Sequence, residues 1–152
     1  MSFEGHFKNG LPEGSITRTS SYGRKDKGNF INGYFEGKIT IEWHRHRNSQ
    51  RFDTFEGYTK SGQINGQGKL IYKKGSMIPE LEAQIDEGEF SGDMSEPILM
   101  RGKRTLPNGS VAIFKCGTPV EIMTYYRRSS PLDHFIIWGY RLFDFGSVII
   151  KV

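Results

Sequence analysis

The residues best suited to chemistry are few and scattered along the chain. His44 and His46 are spaced so that both side chains would point to the same side of a strand, where two imidazoles could share a metal ion. A zinc site needs three or four protein ligands, and no cysteine or third histidine lies nearby in the sequence. We therefore predict no metal site.

A thiol hydrolase would need a cysteine activated by a histidine. Cys116 is followed by Asp133 and His134, which are the right residue types, but no turn motif that would carry a nucleophile surrounds the cysteine. A single cysteine in such a setting is usually a small apolar side chain in the core. We predict a buried, unreactive Cys116.

Phosphate and carboxylate chemistry is no better supported. The glycines form neither G-x-x-x-x-G-K-[ST] nor G-x-G-x-x-G leading into a helix, so no phosphate loop is predicted. The carboxylates of Asp86 and Glu87 lie in residues 80–96, which hold seven acidic and no basic side chains, and this block indicates a solvated face. We predict no enzyme and no cofactor.

The elements that would position these side chains repeat along the chain. Six residues near the N-terminus recur 23 residues later as Asp26, Gly28, Phe30, Gly33, Gly37 and Ile39; the first set is Phe3, Gly5, Phe7, Gly10, Gly14 and Ile16. Further steps of 29 and 31 residues reach Phe55 with Gly57, and then Asp86 with Gly88. Periods of 20 to 50 residues are typical of stacked arrays in which each unit contacts its neighbours.

Each unit has the pattern of a β-hairpin. Residues 3–17 alternate apolar and polar positions around Asn9-Gly10, a dipeptide that accommodates the positive φ angles of a type I′ turn. The same turn position recurs as Asn32-Gly33 and Ser61-Gly62. These three dipeptides are predicted hairpin tips on one edge of a sheet.

The repeat resembles the MORN repeat (membrane occupation and recognition nexus). The best match is F-E-G-Y-T-K-S-G-Q-I-N-G-Q-G-K-L-I-Y-K-K-G at residues 55–75, where Thr59 stands in place of an aromatic residue. Ile16 and Ile39 replace the last glycine of the pattern, and Asp26 replaces its first aromatic residue. The resemblance is clear over residues 3–109 and weak for a fifth unit at 110–117.

The fold expected from this pattern is all-β, an elongated antiparallel meander of stacked hairpins. We assign residues 1–120 to the repeats and residues 121–152 to an aromatic hairpin or cap that continues the array. Pro131 to about Trp138 is compatible with a short helix, because Ser129 and Ser130 could cap it and proline suits a first turn.

The resemblance implies a role without catalysis: holding partner proteins, self-association or attachment to membranes. We interpret the chain as a protein-interaction scaffold in the cytoplasm that binds a partner segment on a concave face. The aromatic side chains predicted to line that face are Phe3, Phe7, Phe30, Trp43, Phe55, Tyr72 and Phe90.

The basic charge supports a second hypothesis. The net charge is +4, and basic residues cluster at predicted hairpin ends, where they could bind phosphoinositides or an acidic membrane surface. The residues proposed for this role are Arg45, Arg47, Arg51, Lys73 and Lys74. Nucleic acid is disfavoured, because no binding motif is visible and the aromatic side chains are already required by the repeat.

Location and assembly are also predicted. No signal peptide precedes Phe3, and one cysteine cannot form an internal disulfide, so a cytoplasmic location is expected, peripheral if a membrane is bound. Val148 to Val152 is mostly β-branched and would form an open strand edge. We expect a homodimer through this C-terminal edge.

The lipid hypothesis is testable by vesicle sedimentation. Replacing Arg45, Arg47 and Arg51 together by glutamine should weaken binding to acidic vesicles, since each basic residue near an anionic surface contributes about 1 kcal/mol. Physiological salt should weaken binding too, because it shortens the Debye length to about 8 Å. A wild-type chain that does not sediment with acidic vesicles at low salt would contradict lipid binding.

Overall fold

The computed structural model describes residues 1–43, 52–73, 84–126 and 136–141. These residues form one antiparallel sheet of 11 strands, and the order of the strands in the sheet follows the chain from β1 to β11. The strands are β1 (Ser2–Lys8), β2 (Leu11–Thr19), β3 (Lys25–Ile31), β4 (Tyr34–Glu42), β5 (Phe52–Lys60), β6 (Gln63–Tyr72), β7 (Ile85–Gly92), β8 (Ile98–Thr105), β9 (Val111–Lys115), β10 (Thr118–Tyr126) and β11 (Ile136–Arg141). The predicted all-β meander is confirmed.

The hairpin tips have the backbone that the sequence predicts. Asn9 and Gly10 have φ angles of 51° and 77°, and Asn32-Gly33 and Ser61-Gly62 repeat this pair of positive values. Cys116-Gly117 forms a fourth tip of the same kind, with φ angles of 51° and 77°. The prediction of a buried Cys116 is therefore wrong, because a residue at a hairpin tip projects into solvent and this cysteine is exposed.

Irregularities in the ladder occur within hairpins. Each of the five hairpins, from β1–β2 to β9–β10, contains a register shift. The ladders that join one hairpin to the next, from β2–β3 to β10–β11, run without a shift. From β3 onward, the first strand of each hairpin therefore pairs without a register shift with the preceding hairpin, and the shift lies between the two strands of the hairpin itself.

The register aligns equivalent repeat positions in rows across the sheet. One row contains the glycines: Gly68 lies opposite Gly88, and Gly88 lies opposite Gly102. Ile16 and Ile39, which depart from the repeat pattern, occupy the same row and are buried there. In this row, the ring of Phe55 covers Gly57 and Gly68, whereas Gly88 and Gly102 approach each other's backbone closely.

The core lies on one face of the sheet. Its largest fully buried side chains include Phe35, Phe55, Ile41 and Leu70. Ring pairs connect successive repeats, with centroids 5.8 Å apart for Phe3 and Phe30 and 5.2 Å apart for Phe55 and Phe90. Edge-to-face pairs of this kind add about 0.5–1.5 kcal/mol beyond burial.

The sheet coils enough to bring distant repeats together. Met94, in the β7–β8 connection, is buried, and its sulfur lies 3.8 Å from Arg18 Nη2 on β2. The connecting segments of later hairpins thus cover part of the core of earlier ones.

The C-terminal region differs from one expectation. Ile136, Ile137 and Trp138 belong to β11, which pairs with β10, so the helix predicted up to Trp138 is wrong there; residues 131–135 lie outside the described part. Pairing with β10 supplies the backbone hydrogen bonds that a short helix would have provided internally. The division at residue 120 falls within β10, and the two-part assignment stays a prediction.

Replacing Gly57 by valine tests the packing of the glycine row. A Cβ there would meet Cζ of Phe55 and lie 2.7 Å from Cε1 of the same ring. We expect a loss in the free energy of unfolding larger than the roughly 1 kcal/mol of β-propensity alone, measured by urea denaturation. Glu56→Val, one residue away on the solvent face, is the matched control. Equal effects of the two substitutions would contradict this account.

Candidate interaction surface

A buried ion pair joins β7 to β8. Asp86 is 1% exposed and lies directly opposite Arg104, whose Nε and Nη2 atoms donate to its two carboxylate oxygens at 2.7 Å each. The hydroxyl of Tyr72 donates to Asp86 at 3.2 Å and accepts from Arg104 at 2.8 Å. The predicted solvated position of Asp86 is therefore wrong, because its partner lies on the neighbouring strand.

The pKa of Arg104 reflects this environment. Burial alone would lower it, but the hydrogen bonds and the negative charge of Asp86 outweigh burial and raise the pKa. The guanidinium also lies over two rings, with centroids at 4.8 Å for Phe114 and 5.2 Å for Tyr72. Arg104 is thus a partly buried charge that packs against rings of the core.

A second buried cluster occupies the equivalent position two repeats earlier. Asp26 lies opposite Arg18 on β2 and accepts from its Nε at 3.0 Å and its Nη2 at 2.7 Å. Arg24 adds a hydrogen bond from Nη2 at 3.0 Å, and the 20–24 turn positions it through hydrogen bonds between Ser20 and Arg24. Arg24 Nε lies 2.9 Å from the second oxygen of Asp26, without hydrogen-bond alignment.

Asp93, in the β7–β8 connection, lines the same cleft as the two arginines of this cluster. Hydrogen bonds from the hydroxyl and backbone N–H of Ser95 lower the pKa of Asp93, and the charges of Arg24 and Arg18 lower it further. With Asp26, the second carboxylate balances the two arginines. The cluster is thus an electrostatic link between β2–β3 and the β7–β8 connection rather than a free anion site.

The opposite face of the sheet is solvated and mixed in charge. Glu87 contacts Lys103 at 3.1 Å and Lys69 at 3.6 Å, and the hydrogen bond from Lys103 is the main reason that the pKa of Glu87 is lowered. Lys27 pairs similarly with Glu42. Because these side chains are 40% exposed or more, each pair contributes little to stability.

The aromatic residues predicted to bind a partner occupy two environments. Five of them are buried and form the core: Phe30, Trp43, Phe55, Tyr72 and Phe90. Phe3 is partly buried against that core, and Phe7 is 53% exposed. The five buried rings pack against other side chains of the same chain, so they lie beneath the surface and do not form it. Contact with a partner stays a prediction for the set.

The predicted basic site lies almost entirely outside the described residues. Arg45, Arg47, Arg51 and Lys74 are not among them, and neither are His44 and His46. Lys73 directly follows β6 and is partly buried. The structure therefore does not test lipid binding through these side chains.

Exposed apolar side chains concentrate at the hairpin tips, a feature that the sequence analysis missed. The described residues contain eight exposed large apolar side chains, and six of them lie within three residues of a hairpin connection. We call these six the tip surface: Phe7, Leu11, Ile31, Tyr34, Tyr58 and Ile98. Ile31 and Tyr34 lie directly opposite each other beside Asn32-Gly33.

The tips are joined to one another. The N–H of Gly62 donates to the carbonyl of Phe35 in the preceding hairpin at 3.1 Å, and Gly117 donates to Met100 at 3.0 Å in the same way. The ring of Tyr34 lies against Gly62, where an added Cβ would be 3.0 Å from Cδ1. Hydrogen bonds thus tie two of the tips to the hairpin that precedes each of them.

A cleft opens beside the tip surface. It has a volume of about 300 Å³ and lies between the two arginines of the Asp26 cluster, Tyr34 and the buried Met94. Its lining combines apolar rings with charges that are already paired. The cleft could receive one side chain of a partner docked along the tips.

Two other kinds of site are absent from the described residues. In the described ranges, no three His, Cys, Asp or Glu side chains are grouped so that they could hold a metal ion. Over the same part of the chain, no helix is long and apolar enough to cross a membrane.

A comparison with known protein families finds a match in two segments of the chain. The family model described as MORN repeat matches residues 3–15 and 55–77, which are the first hairpin and the hairpin of β5 and β6 with the residues that follow it. No curated protein matches the chain. The MORN repeat indicates a domain that interacts with membranes or with proteins, and the repeat family is generally not enzymatic.

The buried pair of Asp86 and Arg104 can be tested by single and double substitution. Asp86→Leu alone should destabilise the fold by about 3–5 kcal/mol, because it leaves Arg104 buried without its partner. The double variant Asp86→Leu/Arg104→Met should recover much of this loss. Lys103→Met, which removes an exposed ion pair on the opposite face, is the control and should cost about 1 kcal/mol or less. Urea denaturation that gives equal losses for Asp86→Leu and Lys103→Met would refute a structural role for the pair.

Proposed function

We propose that this chain of MORN repeats is a non-enzymatic scaffold that binds a partner protein along the tip surface. The observation that carries the proposal is the concentration of exposed apolar side chains at the hairpin tips, six of the eight in the described residues. Apolar patches that remain exposed on a folded domain commonly mark interaction sites.

The composition of the tip surface supports a protein partner. Tyr34 and Tyr58 are 56% and 49% exposed, and tyrosine is among the residues enriched where binding energy concentrates. Glu36 beside them accepts from the backbone N–H of Ser61 at 2.8 Å, so a polar group accompanies the apolar ones. The surface thus combines aromatic anchors with a polar surround.

The rigidity of the edge supports the same proposal. Type I′ turns and the hydrogen bonds between tips hold Ile31 and Tyr34 in place before a partner arrives. A partner then loses less free energy to ordering the surface it meets. The five buried aromatic residues contribute by holding the hairpins against each other.

The concave aromatic face of the sequence analysis is refined by this proposal. Only Phe7 belongs both to the predicted aromatic set and to the tip surface. We place the principal contacts on the tips and retain Phe3 and Phe7 as candidates at the β1 end. A cytoplasmic location is part of the proposal.

Lipid binding is the second candidate, since the MORN repeat is associated with membranes as well as proteins. On the described strands, acidic residues separate the lysines, as Glu87 does between Lys69 and Lys103. A mixed surface of this kind is weakly attracted to acidic lipids. The lipid proposal therefore rests on Arg45, Arg47 and Arg51.

The scaffold proposal is testable by affinity capture followed by binding measurements with the captured protein. Ile31→Ser/Tyr34→Ser should weaken binding roughly tenfold or more, because it removes two neighbouring apolar anchors. Tyr22→Ser is the matched control: Tyr22 is 62% exposed but lies in the connection between β2 and β3, at the opposite edge. It should bind as the wild type does.

Circular dichroism would establish that all variants remain folded. Equal affinities for the tip variant and the wild type would exclude the tip surface as the docking site. A wild-type chain that captures no protein but sediments with acidic vesicles would favour the lipid proposal.

A further inference from the structure

The outer edge of β1 is the first strand edge of the sheet. Among the described residues, β1 pairs with β2 on one side, and no strand lies on its other side. A strand edge of this kind presents backbone N–H and C=O groups that can pair with another strand. The seven residues of β1 are centred on Gly5.

The same sheet shows how such an edge pairs. β3, β5 and β7 are first strands of their hairpins, and each pairs on its outer side in a regular antiparallel register. At the centre of the β7 ladder, Gly88 lies opposite Gly68. Gly5 has a φ of 135°, close to the 149° of Gly88, so β1 has the backbone of a strand that accepts this kind of neighbour.

The sequence of β1 is complementary to itself when it is read in the opposite direction. In an antiparallel pair centred on Gly5, Glu4 lies opposite His6 of the second copy, and Phe3 lies opposite Phe7. Lys8 lies opposite Ser2, so no like charges are directly opposed. Symmetry repeats each of these contacts, as in any two-fold interface.

We propose that the outer edge of β1 pairs with the same edge of a second copy, in antiparallel register centred on Gly5. The two sheets then form one continuous sheet, and the glycine row continues across the interface as it does from Gly68 to Gly88. Unlike the tip surface, this contact is formed with a copy of the same chain and does not depend on the proposed function.

Phe7 supplies the apolar part of the interface. It is 53% exposed, whereas Phe3 already packs against Phe30 at a centroid distance of 5.8 Å. Residues directly opposite in an antiparallel pair share a face of the sheet, so Phe7 of one copy lies beside Phe3 of the other. The aromatic packing of the core then continues across the interface into the second copy.

A charge swap tests the register by equilibrium sedimentation. Glu4→Lys should raise the dissociation constant of the dimer about tenfold, because it removes the carboxylate opposite His6 at two symmetric positions. Glu4→Lys/His6→Glu should restore dimerisation, since it places a lysine opposite a glutamate at both symmetric positions. Glu56→Lys, on the solvent face of β5, is the control and should leave the dimer unchanged.

Cysteine cross-linking tests the same register directly. In a Cys116→Ser background, oxidation should link Glu4→Cys/His6→Cys chains into covalent dimers, because these positions face each other across the proposed two-fold axis. Serine is suitable at position 116, since Ser61 has the same place and a φ of 49° in another tip. Glu13→Cys/Ser15→Cys on β2 has the same spacing and exposure and should remain monomeric.

The outcomes separate this edge from the other surfaces. A wild-type chain that stays monomeric at 100 micromolar overturns the proposal and leaves the tip-surface proposal standing. A dimer that is insensitive to Glu4→Lys but lost on deletion of residues 147–152 also overturns the proposal, because it assigns the contact to the C-terminal edge. A dimer that is weakened by Glu4→Lys and restored by the swap supports the β1 edge.

Discussion

The contact on which the fold depends is that between an aromatic ring and the bare backbone of glycine. An added Cβ on Gly68 would lie 2.9 Å from Cε2 of Phe55, and one on Gly57 would meet the same ring. A single sheet has no second layer to cover its apolar face. Its own side chains must therefore lie flat on neighbouring strands, and they can do so only where those strands lack side chains.

The two buried ion pairs occupy the row that would otherwise hold only apolar side chains. Register places Phe3, Asp26, Phe55 and Asp86 at equivalent positions of successive hairpins. Each aspartate has an arginine directly opposite it, so an aromatic residue is replaced by a paired charge whose guanidinium also stacks on rings. Arg104 bonds both carboxylate oxygens of Asp86, whereas Arg18 bonds one oxygen of Asp26; in both pairs, directional hydrogen bonds between directly opposed residues favour the observed register.

The same architecture determines what remains available for binding. Because the core uses one face and charged side chains cover the other, most of the large apolar side chains left in solvent in the described residues lie near the hairpin tips, Phe7 of β1 among them. The tips are held by turns and by hydrogen bonds to neighbouring hairpins, and the outer edge of β1 is unpaired among the described residues. The hairpin tips are suited to contact side chains of a different protein, and the edge of β1 is suited to pair with another strand.

Much of the fold follows from sequence alone, because glycine spacing and turn chemistry are local. Asn9-Gly10 and Asn32-Gly33 favour the positive φ angles of a tight turn, and Ser61-Gly62 repeats their position, so the hairpins and their order could be predicted. The binding surface could not be predicted in this way. Whether Asp86 is solvated or paired depends on Arg104, 18 residues away, and whether an aromatic ring is buried or exposed depends on which hairpin covers it. The register across strands and the coiling of the sheet decide the pairing of Asp86 and the burial of the rings. This register and coiling arise only when all the hairpins pack together.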